Sequence, residues 1–178
     1  MKKVTVAVVG MLIAAAPAFA AKPVNVSLVP DVALYNRHEQ IDGLVVGLWN
    51  ENPQRALALG LVNGSTGRSA GLSWAFLLNY ADDYTGIQWA PVNYTRGQFE
   101  GWQGGIVNYT RGTMKGLQTG MVNVAGRLTG LQLGLLNYAK TAETGVQLGL
   151  INLIPSNEWF TALPHELAPG MPFVNWRF

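Results

Sequence analysis

The chain has 178 residues, a length that suits one domain or one repeat array, and only 12% of them are charged, against about 25% in an ordinary soluble domain. Two of the 12 Lys and Arg, Lys2 and Lys3, lie in an N-terminal leader; without them ten basic residues face ten acidic ones, and no basic excess remains for nucleic-acid binding. There is no cysteine, which excludes disulfides, a thiolate zinc site, a cysteine nucleophile and a lipoprotein anchor.

Met1–Ala20 reads as a secretory signal peptide: two lysines, the apolar run Val4–Ala16, and Ala18-Phe19-Ala20 as a small-residue cleavage site. The expected mature chain starts at Ala21. Beyond it no stretch approaches 18 uninterrupted apolar residues, so no membrane-spanning helix is expected. Residues 21–42 follow as an N-terminal cap or edge strand. Val24, Val26 and Leu28 alternate there, until Pro30 interrupts them.

Residues 43–154 form an internal repeat. Asn50, Asn63, Asn79, Asn93, Asn108, Asn123, Asn137 and Asn152 recur at steps of 13 to 16 residues. Seven residues before each, or eight in the third unit, stands Gly43, Ala56, Gly71, Gly86, Gly101, Gly116, Gly130 or Gly145. An apolar residue follows each of these. Gln88, Gln103, Gln118, Gln132 and Gln147 come next in the last five units. Gly47, Gly60, Ala75, Ala90, Gly105, Gly120, Gly134 and Gly149 then keep one position small. Charges gather in the stretches that connect the units. Glycine in every unit argues against helices, and helical repeats run to about 33 residues or more. Each unit therefore reads as an apolar strand segment and a polar turn.

Two all-β architectures use such a unit. In a parallel β-solenoid of about eight coils, like positions stack about 4.8 Å apart. The Asn and Gln columns then become amide ladders, each amide donating to one neighbour and accepting from the other. The small column sits at a corner where a side chain would crowd the backbone. In a small antiparallel outer-membrane β-barrel, each unit is one strand, with Leu131, Leu133 and Leu135 facing lipid. Units that repeat head to tail, with connections of one length class, favour the solenoid, because antiparallel neighbours bring like columns together only near mid-strand.

Residues 155–178 break the repeat with Pro155, Pro164 and Pro169. They read as a loop or short helix and then a final strand limited by Pro172 to Phe173–Phe178. The alternation of Val174, Trp176 and Phe178 resembles the terminal strand signal of bacterial outer-membrane barrel proteins. The units of Gly43–Ile154, clearest from Gly86 onward, resemble a bacterial surface-repeat family built of G-Φ-Q-Φ-G-Φ-Φ-N units (Φ, apolar). That resemblance implies export and surface placement, without an assigned activity or ligand. Val45 and Ala58 depart from it where Gln is expected.

Reactive groups do not assemble into a recognised set. His165-Glu166 lacks the second histidine of a zinc-protease motif, since Pro169 stands in its place. Asp82-Asp83 reads as a solvated turn. Asn63, Asn93 and Asn108 begin glycosylation sequons, but only because they belong to the Asn column. No catalytic residue, metal or cofactor is expected. One surface constellation stands out. Tyr80, Tyr94, Tyr109 and Tyr138 lie one residue past the Asn column; Arg96, Arg111 and Lys140 lie three past it and Arg127 four past. Stacked coils would align them into rows able to meet an extended anionic polymer such as lipopolysaccharide or polysaccharide. The other reading is coil-edge packing with solvated charges. The expectation is an exported, non-enzymatic structural or binding protein of the outer membrane or cell surface, with the periplasm as second location.

Overall fold

A computed structural model describes residues 22–178, so the expected signal peptide lies outside the described residues. Ten strands follow: β1 (Lys22–Val29), β2 (Val32–Ala33), β3 (Ile41–Asn52), β4 (Gln54–Trp89), β5 (Val92–Thr95), β6 (Phe99–Gly104), β7 (Val107–Thr119), β8 (Val122–Leu133), β9 (Leu136–Leu153) and β10 (Gly170–Arg177).

The repeat units pair in parallel and in register. Gly86 faces Gly101, which faces Gly116, Gly130 and Gly145 in turn; Asn79, Asn93, Asn108, Asn123 and Asn137 align the same way. The fold is a parallel β-solenoid of about eight coils. The alternative antiparallel barrel is overturned. A meander would reverse direction at each unit, whereas among the described residues strands pair antiparallel only at the two ends, β2 on β1 and β10 on β9. The structural or channel-forming barrel function falls with it.

Each coil carries two strands rather than one strand and a turn. In the fourth coil β5 holds the Asn and Tyr positions, and β6 leads into the next glycine and glutamine. The "polar" connection thus hides an inward row. Tyr84, Phe99, Met114 and Leu128 stack on one another there and are fully or almost fully buried. They meet Ala81, Ala125 and Ala139 from the opposite strands and form the main apolar cluster. Tyr84 and Phe99 lie nearly parallel, their ring centroids 6.1 Å apart. A second cluster, Ile41, Val45, Ala56 and Ala58, fills the first coils, where the Gln column has not yet begun.

Both ends are covered, as an open strand edge requires. β1 adds a parallel layer on β3, Val26 facing Val46, and β2 folds back over it. Asn25 fixes this cap by donating to Asn52 Oδ1 at 2.7 Å and accepting from the Tyr35 N–H at 3.1 Å. At the other end β10 begins at Gly170, three residues earlier than expected. Pro172 is accommodated at a shift of register between Met171 and Phe173, where Phe173 has φ 66°. The segment before β10 is loop without helix. It lies along the outer side of β10: the Phe178 N–H donates to the His165 carbonyl at 2.7 Å, and Glu166 pairs with Arg177 at 3.0 Å.

Candidate functional site

The asparagine and glutamine columns are an internal scaffold. Every one of the eight asparagines and five glutamines is fully buried. Asn93 Nδ2 donates to Asn108 Oδ1 at 2.8 Å, Asn108 to Asn123 at 2.9 Å, Asn123 to Asn137 at 2.9 Å and Asn137 to Asn152 at 2.8 Å. Each of the four also donates its second N–H to a backbone carbonyl of the next coil: Gly104, Thr119, Leu133 and Leu148 at 2.9 to 3.0 Å. That second bond fixes the amide's orientation. The ladder is stretched at one place, where Asn63 reaches Asn79 at 3.4 Å across the extra residue of the third coil. Ser73 Oγ compensates by donating to Asn79 Oδ1 at 2.8 Å. At the N-terminal end Ser27 Oγ donates to Asn50 Oδ1 at 2.5 Å, and Asn50 passes the chain to Asn63 at 2.7 Å.

The glutamine ladder runs the other way. Gln103 donates back to Gln88 at 3.0 Å, Gln118 to Gln103 at 2.9 Å, Gln132 to Gln118 at 2.7 Å and Gln147 to Gln132 at 2.7 Å. Gln118, Gln132 and Gln147 are oriented by a second bond to the carbonyls of Val124, Tyr138 and Leu153. The two stacks of amide dipoles therefore point in opposite directions along the rod. Thr110 Oγ1 joins in by donating to Gln103 Oε1 at 3.0 Å. The three sequon asparagines have both amide hydrogens engaged inside these ladders, so the folded chain does not offer them for glycosylation.

Outside the scaffold, the expected aromatic and basic rows form in part. Tyr94 and Tyr109 stack with ring centroids 5.6 Å apart and planes 17° from parallel. Val124 then interrupts the row before Tyr138. Arg96 and Arg111 lie on adjacent coils beside the tyrosines, Gly126 holds the next place, and Lys140 follows. Asp82, Asp83, Arg96 and Arg111 border one shallow depression; Arg111, Arg127 and Lys140 border the next. Arg127 aligns with Thr113 and Thr141 rather than with Arg111, and pairs with Glu143 at 2.9 Å. Arg96, Arg111 and Lys140 form no ion pair among the described residues. The two aspartates act as turn caps, Asp82 accepting from the Gly67 N–H at 3.0 Å and Asp83 from the Gln98 N–H at 2.6 Å.

Tyr80 does not belong to the surface row. Its ring lies across Gly64, where any Cβ would strike it, and its hydroxyl donates to Glu51 and accepts from Trp49 Nε1 at 3.0 Å. Arg37 completes the group at 3.1 Å from Glu51. Tyr80 thus ties the third coil across the second to the first and to the N-terminal cap. Glycine at 64, the one place where the Asn column is followed by no side chain, was the available signal.

Burial first, and then the hydrogen bond to Glu51, push the Tyr80 hydroxyl up to about 12 from 10.0, with Trp49 acting in the opposite direction. Burial alone raises Tyr84 as well. In both cases the folded state holds the proton more tightly than the unfolded chain. For Tyr80 this contribution to stability is complete below pH 10 and is lost as pH rises through the folded value near 12. An alkaline series of thermal melts should show the midpoint falling across that window. Tyr80→Phe should make the fall shallower and speed amide exchange in β3.

These features define the class of protein: a flattened, two-sided parallel β-solenoid held by opposed amide ladders. Comparison with protein families, with curated proteins and with solved structures finds no match.

Proposed function

We propose that the chain is an exported, non-enzymatic repeat protein of the bacterial envelope, a structural and binding surface whose charged edge takes an extended anionic polymer such as lipopolysaccharide or polysaccharide. The observation that carries this reading is the set of Arg96, Arg111 and Lys140, without ion-pair partners among the described residues, alongside the stacked rings of Tyr94 and Tyr109. Tyr94 with Arg96 and Tyr109 with Arg111 repeat one chemical unit on adjacent coils about 4.8 Å apart, and Tyr138 with Lys140 presents a similar unit two coils further on. Guanidinium groups bind phosphate and carboxylate oxygens in bidentate fashion, and tyrosine faces stack on sugar rings. Placement at the outer membrane or cell surface is supported by the leader pattern of Met1–Ala20 and by the family resemblance.

The test combines processing with binding. Expression of the full chain in a Gram-negative host should yield a mature protein beginning at Ala21 in the envelope fraction. The triple variant Arg96→Glu, Arg111→Glu, Lys140→Glu should keep its melting midpoint but lose about tenfold or more of its salt-sensitive retention on lipopolysaccharide. An unprocessed cytoplasmic chain would contradict the placement. Unchanged retention by the triple variant would contradict the binding edge.

A further inference from the structure

The solenoid is amphipathic across its width. One long edge carries the turns with their charges. The other is the corner formed by the small column and the residues on either side of it. Its crest is the row that follows each small residue: Phe76, Ile106, Met121, Leu135 and Leu150 among them are between 48% and 63% exposed. The flanks carry one charge, Glu51, which pairs with Arg37 and is joined through the Tyr80 hydroxyl to Trp49. On one side Val46, Leu59, Trp74, Trp89, Leu133 and Leu148 precede the small residue, with only Gly104 and Thr119 breaking the apolar run; on the other, Trp49, Val92 and Ile151 precede or adjoin the Asn column. The caps continue the same edge instead of interrupting it. β1 adds Val26 and Leu28, and β10 sets Phe173 against Gly149 at the corner, 71% exposed.

We infer that this apolar edge seats the protein in the surface of a lipid bilayer, the crest among the acyl chains and the charged edge directed away into water. The inference builds on the envelope reading above by naming the surface to which the rod is held. Shape and area favour lipid over a second copy of the chain. Ten layers at about 4.8 Å span about 43 Å, and four residues of flank on each side are about 13 Å wide, so one flank offers about 560 Å². Stable dimers bury roughly 800 Å² per partner, more than a single flank provides. The two flanks together, about 1,100 Å², are presented around a ridge, and only a medium that surrounds the ridge covers both. The half-exposed Trp74 and Trp89 stand on one shoulder of the ridge, the level at which amphipathic rings meet lipid headgroups.

The experiment is flotation of the purified chain, without residues 1–20, with vesicles of phosphatidylethanolamine and a minority of phosphatidylglycerol. The ten strands and both caps described above all lie within residues 22–178, which this form retains. The chain should float with the vesicles and stay there in high salt. Met121→Asp combined with Leu150→Asp should reduce the floated fraction about tenfold or more, since each places a charge among acyl chains. Lys115→Asp, on the charged edge, should leave flotation unchanged. Brominated acyl chains should quench the tryptophan fluorescence of the unaltered chain, a readout that does not depend on the variants folding. A chain that remains at the bottom of the gradient and is not quenched overturns the inference. So does a discrete dimer in light scattering that Met121→Asp converts to monomer, because the edge is then covered by a second copy. Export and processing are measured in cells on the full chain, so either result leaves the envelope reading to its own test.

Discussion

Replacing Asn137 with Leu is expected to destabilise the fold by about 3 kcal/mol, one of the two largest effects among the substitutions considered. Asn137 accepts from Asn123, donates to Asn152 and donates to the Leu148 carbonyl, so three bonds of 2.8 to 2.9 Å disappear together. The Asn123 N–H, the Asn152 carbonyl and the Leu148 carbonyl are then left buried with a partner missing, at about 1 kcal/mol each or more. Leucine also brings a bulkier branched side chain into a column of amides. For a chain of this size the loss corresponds to a fall in melting midpoint of roughly 6–12 °C. A midpoint that does not move would show that the ladder is incidental to stability. The effect should be smaller at Asn63, whose bond to Asn79 is already stretched to 3.4 Å.

Gly101→Ala should match or exceed that loss, at about 3 kcal/mol or more, although it adds a single methyl group. Gly101 has φ 132°, and an added Cβ would lie 2.0 Å from the Gly86 carbonyl oxygen in the coil before it. Both the backbone conformation and the stacking distance would have to change, and the stacking distance is shared with every other coil. The small column is more forgiving. A Cβ at Gly134 meets the Gly120 carbonyl at 2.4 Å, but Gly134 has no positive φ and Ala75 and Ala90 occupy its column; the leading column admits alanine only at Ala56, where φ is not positive. The expected order of melting midpoints is therefore Lys140→Val above Gly134→Val, with Gly101→Ala well below unaltered protein. Equal midpoints for Gly101→Ala and the unaltered chain would remove the close-approach argument.

Much of this was legible in the residues themselves. A column of Asn that never becomes Asp, Ser or Gly points to an amide needing both a donor and an acceptor, and the solenoid supplies both. Head-to-tail repetition likewise indicated parallel stacking. What escaped was information carried by fewer atoms or by contrast between units. Tyr84, Phe99, Met114 and Leu128 are single apolar residues among charges, and their common step of about one coil is visible only once the second strand of each coil is known. The leading glycines were noted without a role, because nothing in composition separates a glycine needed for positive φ from one needed for space. Tyr80 matched its column in identity while its ring turned across Gly64 to reach Glu51, a choice made by the first coil rather than by its own unit. The opposed direction of the two ladders depends on the second amide hydrogen and its backbone acceptor, which spacing alone does not reveal.

Parallel stacking of the coils is tested most directly by distances between paired spin labels. Arg55, Glu100, Lys115, Thr129 and Thr144 occupy one outward row beside the leading glycines. With one label at Arg55 and the other moved from Glu100 to Lys115, Thr129 and Thr144, the backbone separation should climb steadily by about 4.8 Å per coil, reaching about 29 Å across six coils. A series that instead alternates between short and long, as like positions do at opposite ends of antiparallel strands, would contradict the solenoid and the ladders with it.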